Sequence, residues 1–237
     1  MKTIGMLGGM SWESTAEYYR LANELVRERL GGYHSAPILL DSLDFAEIEA
    51  MQSAGDWAGA GELLAARARR LQDAGAELLV LCTNTMHNVI ERVEESLHIP
   101  VLHIADATAT AIAAAGIARI GLLGTAFTME QAFYRERIES HGIHVSVPDD
   151  ADRALVHRVI YDELVHGIVR DESRVAFQRV VERLVDGGAE GIILGCTEIE
   201  LLLTQADSPV PVFPTTAIHV AAAIDAAVGS TARATAH

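Results

Sequence analysis

Leu78–His87 reads Leu-Leu-Val-Leu-Cys-Thr-Asn-Thr-Met-His, and Gly191–Glu198 reads Gly-Ile-Ile-Leu-Gly-Cys-Thr-Glu. In each segment a short apolar run, typical of a buried strand, ends at a cysteine that is followed by threonine. Cys82 and Cys196 are the two cysteines of the chain. Each cysteine is therefore expected where a buried strand ends and a helix begins.

Both segments belong to a longer internal repeat. Cys82 follows Gly5 by 77 residues, and Cys196 follows Gly121 by 75. A strand followed by a glycine turn occurs in any α/β protein and would explain one match, but three matches in the same order indicate an internal duplication. The matched segments are 3–9 with 119–125, 74–83 with 187–197, and 98–102 with 208–213.

The spacing of apolar residues predicts alternating strands and helices. In the first half, strands are expected at 3–7, 37–40, 78–82 and 100–104, and helices at 12–30, 56–74 and about 86–97, with residues 41–52 beginning as a loop. Two further helices, at 105–115 and 216–228, are expected to carry the chain into the second half and back. Strands that alternate with helices indicate a parallel α/β sheet.

The predicted fold class is α/β, with two pseudo-symmetric Rossmann-like domains, each a short parallel sheet flanked by helices. The expected first domain comprises residues 1–102 plus 214–237, and the second comprises 103–213. Ligands of parallel sheets bind beyond the carboxyl ends of the strands, so the active site is expected in the interdomain cleft, with a cysteine on either side. The last residues, 229–237, are small and polar and are expected to fray.

The composition favours a globular protein of the cytoplasm. Half of the 237 residues are hydrophobic, and the formal net charge is -15. The acidic balance argues against nucleic acids and anionic membrane surfaces as partners, because both select clustered Lys and Arg. No segment has the apolar length of a bilayer-spanning helix, and the glycine-broken N-terminus does not resemble a signal peptide. We therefore expect a small-molecule ligand, with no nucleic acid and no membrane as partner.

The distribution of lysine and cysteine excludes several classes of enzyme. Lys2 is the only lysine, so the chain lacks a convincing Schiff-base residue for pyridoxal phosphate and a P-loop lysine. The cysteines lie 114 positions apart, without a Cys-x-x-Cys motif, and no histidine stands at metal-ligand spacing from them. We therefore expect neither a cofactor nor a metal.

The two thiols lie at equivalent positions of the repeat, which favours a functional role for both. A single cysteine at a strand end is most often a small core residue, but two that are each followed by threonine favour a functional role. At a helix N-terminus the pKa of each thiol is expected to be lowered. A hydrolase needs one nucleophile and a separate base, and a disulfide oxidoreductase carries both thiols in one motif. Stereoinversion needs a base on one face of a carbon and an acid on the other.

Three motifs resemble the aspartate/glutamate racemase family, in particular its broad-specificity amino-acid racemase branch. They are Gly-Met-Leu-Gly-Gly-Met-Ser-Trp-Glu-Ser-Thr at 5–15, Leu-Cys-Thr-Asn-Thr-Met-His at 81–87 and Leu-Gly-Cys-Thr-Glu-Ile at 194–199. The resemblance covers nearly the whole chain. It implies a pyridoxal-phosphate-independent racemase with a two-base mechanism, two pseudo-symmetric α/β domains and a homodimer.

The resemblance also implies roles for individual residues. Cys82 and Cys196 would be the catalytic acid and base. The implied substrate contacts are Thr83, Asn84, Thr85 and Thr197 at the α-carboxylate, Thr125 and Thr128 on a second wall, and Met10 and Gln52 in pocket loops of the first domain. The substrate would be aspartate, glutamate or a broader set such as homoserine.

Several positions keep two interpretations. Some dicarboxylate-specific relatives carry a lysine near the position of His166; this histidine either binds a substrate side chain or is a solvated residue at a helix end. Glu198 either tunes the thiol of Cys196 or caps the following helix. His87 either supports the site or lies on a helix surface. The pair Gly8-Gly9 is expected to form a tight turn near the substrate.

Two other functions remain open from the sequence. One is a cis-trans isomerase of the same superfamily, similar to maleate isomerase, in which one cysteine attacks carbon. The other is a non-catalytic amino-acid sensor, although ligand binding alone does not require two thiols.

Overall fold

The structure is a computed structural model that describes residues 1–229. The chain forms two compact units. The first unit consists of Met1–His103 together with the described chain from His219 onward, and the second is Ile104–Ile218. The expected fraying of residues 229–237 lies outside the described residues, except at Gly229.

The first unit begins with a strand, a helix and a second strand. Its elements up to the crossing are β1 (Ile4–Gly8), α1 (Trp12–Leu30), β2 (Ile38–Ser42), α2 (Phe45–Ala54), α3 (Trp57–Asp73), β3 (Leu78–Leu81), a 3-10 helix (Thr85–Val89), α4 (Ile90–Glu94) and β4 (Val101–Leu102).

The second unit repeats this order of strands. Its elements are α5 (Ile104–Ala114), β5 (Arg119–Gly124), α6 (Ala126–Glu130), α7 (Ala132–Glu139), β6 (His144–Ser146), α8 (Asp150–Asp162), a 3-10 helix (Leu164–His166), α9 (Asp171–Asp186), β7 (Ile192–Gly195), α10 (Ile199–Leu202), a 3-10 helix (Gln205–Asp207) and β8 (Val212–Pro214). The last helix, α11 (Thr215–Val228), begins in the second unit and ends in the first.

The two sheets have the same topology. Within residues 1–229, each unit contains one four-stranded parallel sheet, ordered β2-β1-β3-β4 in the first and β6-β5-β7-β8 in the second. The predicted α/β class and the duplication are therefore confirmed. The central strands β1, β3 and β7 are buried along their whole length, as expected of parallel strands covered on both faces.

The core of the first unit has two layers, because successive strand residues point to opposite faces of the sheet. Leu79 and Leu81 pack with α3 on one face. On the other face, Leu78, Val80 and Cys82 pack with α1 and α11. Cys82 thus continues the row of β3 side chains that faces α1 and α11. It belongs to the core as well as to the candidate site.

Three local predictions in the first unit were wrong. Residues 41–52, expected to begin as a loop, finish β2 and form most of α2, whose first turn is capped by the Asp44 side chain. The helix expected at about 86–97 is a 3-10 helix followed by the short α4, and the strand expected at 100–104 is reduced to β4.

By contrast, Ser11 caps α1 and Gly31 ends it, as predicted. No helix among residues 1–229 is both long and apolar enough to span a bilayer.

Candidate active site

The strand registers bring each cysteine next to a glycine turn. In the first unit, Leu7 of β1 lies beside Leu81 of β3, and in the second unit Gly124 of β5 lies beside Gly195 of β7. The first strand of each sheet lies between the second and the third. A sheet of this kind binds ligands at the carboxyl ends of its strands, where the strand order reverses. Cys82 follows β3 and Cys196 follows β7, and each of these strands borders the point where the strand order of its sheet reverses.

Cys82 is held by backbone contacts at the end of β3. Its N–H donates to the Leu7 carbonyl at 2.9 Å, and its carbonyl accepts from the Ser14 hydroxyl at 3.3 Å. The residue is fully buried, and burial raises the pKa of its thiol above the ordinary value.

The expectation of a lowered thiol pKa was wrong at both cysteines. The segment after Cys82 is a five-residue 3-10 helix, and α10 after Cys196 has four residues. Such short helices supply little dipole, whereas removal of a thiolate from water disfavours the charged form strongly. At these sites desolvation outweighs the helix terminus.

The polar residues after Cys82 point largely inward. Asn84 and Thr85 are buried, and Thr83 is half-buried. His87 is also buried, with 2% of its surface exposed, so the interpretation as a helix-surface residue was wrong. Its Nδ1–H donates to the Thr83 carbonyl at 2.7 Å.

The two other first-unit candidates are buried as well. Met10 lies in the turn after β1, and Gln52 lies near the end of α2, where its Nε2 donates to the Met86 sulfur at 2.9 Å. The structure therefore places Gln52 on a helix and not in the expected pocket loop.

The turn after β1 requires glycine at position 9. Gly9 has a φ of 86°, and a Cβ built there would lie 2.2 Å from the Leu43 carbonyl oxygen. Its N–H donates to the Thr15 hydroxyl at 2.8 Å. The tight turn predicted for Gly8-Gly9 is present, and it packs against the segment that leads into α2.

Cys196 differs from Cys82 in its polar contact. Its thiol donates to the Oε2 of Glu198 at 2.9 Å, and Glu198 is 7% exposed. Burial, followed by the negative charge of Glu198, raises the pKa of this thiol well above its ordinary value. Glu198 makes no capping hydrogen bond to α10. Of its two interpretations, the contact with the thiol is the one observed.

Threonine hydroxyls surround the second cysteine turn. Thr197 and Thr216 share a hydrogen bond of 2.8 Å between their hydroxyls, and the Thr216 N–H donates to Glu200 at 3.4 Å. Thr125 caps α6, with its hydroxyl 3.2 Å from that of Thr128. Both are buried. His166 lies apart from these contacts, exposed at the end of its 3-10 helix, as the solvated interpretation expects.

Sequence reasoning missed two supporting residues. Ser14 contacts the Cys82 carbonyl, and Thr216 contacts Thr197. The repeat contains a signal for the first, because the cap spacing of Ser11 and Ser14 after β1 equals that of Thr125 and Thr128 after β5. Among residues 1–229, no group of three or more His, Cys, Asp or Glu is placed to hold a metal ion.

Comparisons with known proteins agree with this architecture. A crystal structure of a candidate Asp/Glu racemase from Yersinia pestis is 55% identical, covers 97% of this chain and 100% of its own, and superposes with a TM-score of 0.92. An aspartate racemase homologue from Pyrococcus horikoshii OT3 is 34% identical, with coverages of 97% and 100% and a TM-score of 0.86.

A broad specificity amino-acid racemase from Bacillus subtilis is 25% identical over 152 residues. These residues are 62% of this chain and 63% of the Bacillus protein, so the chain matches less than two thirds of that relative. Residues 7–223 match the family described as Asp/Glu/hydantoin racemase. The chain therefore belongs to the Asp/Glu/hydantoin racemase family.

Proposed function

We propose that this protein is an amino-acid racemase that interconverts L- and D-enantiomers without a cofactor, with Cys82 and Cys196 as its two acid/base groups. The observation that carries the proposal is the equivalence of the two thiols. Each follows the third strand of a sheet with the same strand order, and each precedes a threonine. Two equivalent acid/base groups are what stereoinversion at one carbon requires.

The proposed reaction moves one proton off the substrate and another onto it. A thiolate removes the α-proton, and the electron pair of the C–H bond is delocalised into the α-carboxylate. The opposite thiol then donates its proton to the other face of the carbon. One thiol and one thiolate have exchanged roles, and the reverse reaction restores them. The same two groups thus serve both directions.

Burial of the thiols supports this chemistry. The raised pKa of both cysteines makes each thiolate a stronger base toward the weakly acidic α-carbon. The cost is a smaller thiolate population at neutral pH. At Cys196, the carboxylate of Glu198 accepts the thiol hydrogen bond and is the proposed acceptor of the thiol proton when the thiolate forms.

The substrate carboxylate would bind to hydroxyl and amide donors near the thiols. The proposed donors are Thr83, Asn84, Thr85, Thr125, Thr128 and Thr197. Such donors stabilise the negative charge that grows on the carboxylate as the proton leaves. The proposed substrates extend beyond aspartate and glutamate to neutral polar amino acids such as homoserine, which the broad specificity of the Bacillus relative and the exposure of His166 support. A homodimer in the cytoplasm belongs to the same proposal.

The test is α-proton exchange in D2O, followed by proton NMR and optical rotation. The panel contains both enantiomers of aspartate, glutamate, homoserine, methionine and serine, with reduced protein and no added pyridoxal phosphate. We expect the α-proton signal and the optical rotation of at least one amino acid to decay together. Cys82→Ser and Cys196→Ser should each lower racemisation by at least ~10³-fold.

The single-cysteine variants distinguish the two-base mechanism from its rivals. One remaining thiolate can still remove an α-proton from one enantiomer and return a deuteron to the same face. We therefore expect each variant to retain some exchange without inversion, on opposite enantiomers. Full racemisation by either variant contradicts the proposal. A covalent adduct with an unsaturated diacid supports an isomerase instead, and thermal stabilisation by amino acids without any exchange supports a sensor.

A further inference from the structure

A cluster of buried rings lies against the Cys82 turn inside the first unit. It consists of His87, His103, His219 and Tyr18, which are between 0% and 7% exposed. The ring centroid of His87 lies 4.7 Å from that of His103 and 5.9 Å from that of His219. The ring of Tyr18 lies 5.7 Å from that of His219. The proposed proton transfers use none of these four residues, which we call the histidine cluster.

The members of the histidine cluster come from separate parts of the chain. His87 belongs to the 3-10 helix after Cys82, and Tyr18 belongs to α1. His103 is the last residue of the first unit before the chain passes into the second, and His219 is the residue at which it returns. Within the first unit, both crossing points are therefore packed against the segment that carries the first cysteine.

Hydrogen bonds define the tautomers of two of these histidines. A carbonyl oxygen only accepts, so His87 carries its proton on Nδ1, which donates to the Thr83 carbonyl at 2.7 Å. His219 carries its proton on Nε2, which donates to the Leu102 carbonyl at 2.8 Å. Its Nδ1 then accepts from the Tyr18 hydroxyl at 2.9 Å. The two imidazoles therefore donate to backbone carbonyls through opposite ring nitrogens.

Burial keeps both imidazoles neutral. Loss of hydration lowers the pKa of His87 well below its ordinary value, and the neighbouring His103 and His219 lower it further. Burial also lowers the pKa of His219, to about 4. At neutral pH the bond from His87 to Thr83 is thus made by an uncharged ring with a fixed orientation.

We propose that His87 is a positioning residue for the first cysteine. Its Nδ1–H holds the carbonyl of Thr83, the residue next to Cys82, and so fixes the orientation of the thiol and of the donors at Thr83–Thr85. His103, His219 and Tyr18 keep the His87 ring in place. This inference rests on the proposed role of Cys82. A site of this kind is sensitive to small displacements, since a shift of about 1 Å can cost ~10²-fold in rate.

Three variants separate the hydrogen bond from simple packing. His87→Leu keeps an apolar side chain of similar bulk without a donor. His87→Asn has less bulk but places an amide N–H near the position of Nδ1. His87→Gln carries its amide farther out, toward the position of Nε2. The exposed His34 supplies the matched control, His34→Leu.

We expect His87→Leu to lower kcat by ~10- to 100-fold with a smaller change in KM. His87→Asn should restore kcat to within about threefold of wild type, whereas His87→Gln should not. A role in packing alone predicts the opposite order, because leucine fills the space better than asparagine. Equal or better activity of His87→Leu relative to His87→Asn therefore overturns the proposal.

Two readouts do not depend on turnover. Long-range proton–nitrogen NMR of the wild-type imidazoles should show His87 protonated on Nδ1 and His219 on Nε2. In a Cys196→Ser background, alkylation of Cys82 should be faster in His87→Leu than in His87→Asn or the His34→Leu control. A His87 proton on Nε2, or equal alkylation rates, overturns the inference.

These readouts also separate this inference from the proposed function. If wild-type protein exchanges no α-proton, the racemase proposal fails, and the tautomers and alkylation rates still judge the positioning role. If His87→Leu does not fold, the wild-type tautomers and the activity of His87→Asn against His87→Gln decide it.

Discussion

Glu198 makes the two cysteines unequal. The thiol of Cys196 donates to the Glu198 carboxylate at 2.9 Å, whereas the described hydrogen bonds of Cys82 are made by its backbone, to Leu7 and Ser14. The pair of Cys196 and Glu198 can hold one proton between two atoms, which gives the second site an internal proton acceptor. In the proposed reaction, transfer of the thiol proton to Glu198 forms the Cys196 thiolate that acts as the base.

Glu198→Gln should separate thiol acidity from catalysis. Removal of the negative charge should lower the pKa of Cys196, because that charge raises it. Racemisation should nevertheless fall by ~10²-fold, because the thiol has lost its proton acceptor. The thiol pKa is measured by ultraviolet absorbance of the thiolate in a Cys82→Ser background. The racemisation rate is measured by loss of optical rotation in protein that retains Cys82.

Glu200→Gln is the matched control, since it removes an equal charge two residues further along the same segment. Its carboxylate accepts from the Thr216 N–H at 3.4 Å. It should change the rate by less than about tenfold. A higher thiol pKa in Glu198→Gln, or an unchanged rate, would contradict the assigned role.

At the scale of structural elements, the turn after β1 leaves no room for a side chain at Gly9. Gly9 combines a positive φ with close approach to the backbone of Leu43. Gly55, at the end of α2, has a positive φ of 70°, but a Cβ there would meet nothing within 4 Å. These two glycines therefore separate the cost of backbone conformation from the cost of a steric clash.

Gly9→Ala should lower the free energy of unfolding by at least ~2 kcal/mol, because the new methyl adds a backbone clash to an unfavourable φ. Gly55→Ala should lower it by only about 1 kcal/mol, the cost of the left-handed conformation alone. Urea unfolding of both variants at one pH measures the difference. Equal losses would mean that the clash at Gly9 relaxes without cost.

The sequence predicted elements best where capping residues and hydrophobic spacing agree. Ser11 and Gly31 bound α1 as expected, and Asp56 caps α3. The loop expected in 41–52 was wrong because the Asp44 side chain caps a helix that begins at Phe45. The helix expected at 86–97 was broken because the residues after Asn84 turn Met86 and His87 inward, as a 3-10 helix. Local patterns do not reveal such tertiary contacts.

At the scale of the whole molecule, the duplication was the most informative feature of the sequence. It predicted two sheets of equal topology and equivalent positions for the thiols. The electrostatics of the site could not be predicted in the same way. The raised thiol pKa values and the neutral rings of His87 and His219 follow from burial, and burial depends on how α1, α11 and β3 pack around Cys82. Spacing along the chain carries little information on that packing.

The histidine cluster also makes the whole chain sensitive to acid. An unfolded chain exposes His219, whose pKa then returns to an ordinary value near 6.5, whereas in the folded state it is about 4. The unfolded state therefore binds more protons as the pH falls below about 6.5. By linkage, the stability contributed by the neutral ring is complete above that pH and is lost as the pH falls toward 4.

We expect the free energy of unfolding to fall by roughly 2 kcal/mol between pH 7 and pH 4.5 through His219 alone. The groups that face His219 are His87, His103 and Tyr18, and protonation of His87 adds to the loss. Hydrogen bonds lower the pKa values of the exposed carboxylates of Glu62 and Glu190, so the stability linked to these groups is lost mainly at pH values below this window.

Urea unfolding across this pH range measures how steeply the free energy of unfolding falls as the pH falls. The slope is compared between wild type, His219→Gln and the control His34→Gln. Glutamine can still donate to the Leu102 carbonyl but has no imidazole to protonate, so its slope should be smaller than that of wild type by about the contribution of one buried histidine. The change in slope is compared, because the substitution can alter stability at every pH. A slope equal to that of wild type would show that His219 is not the group that acid must charge when the first unit unfolds.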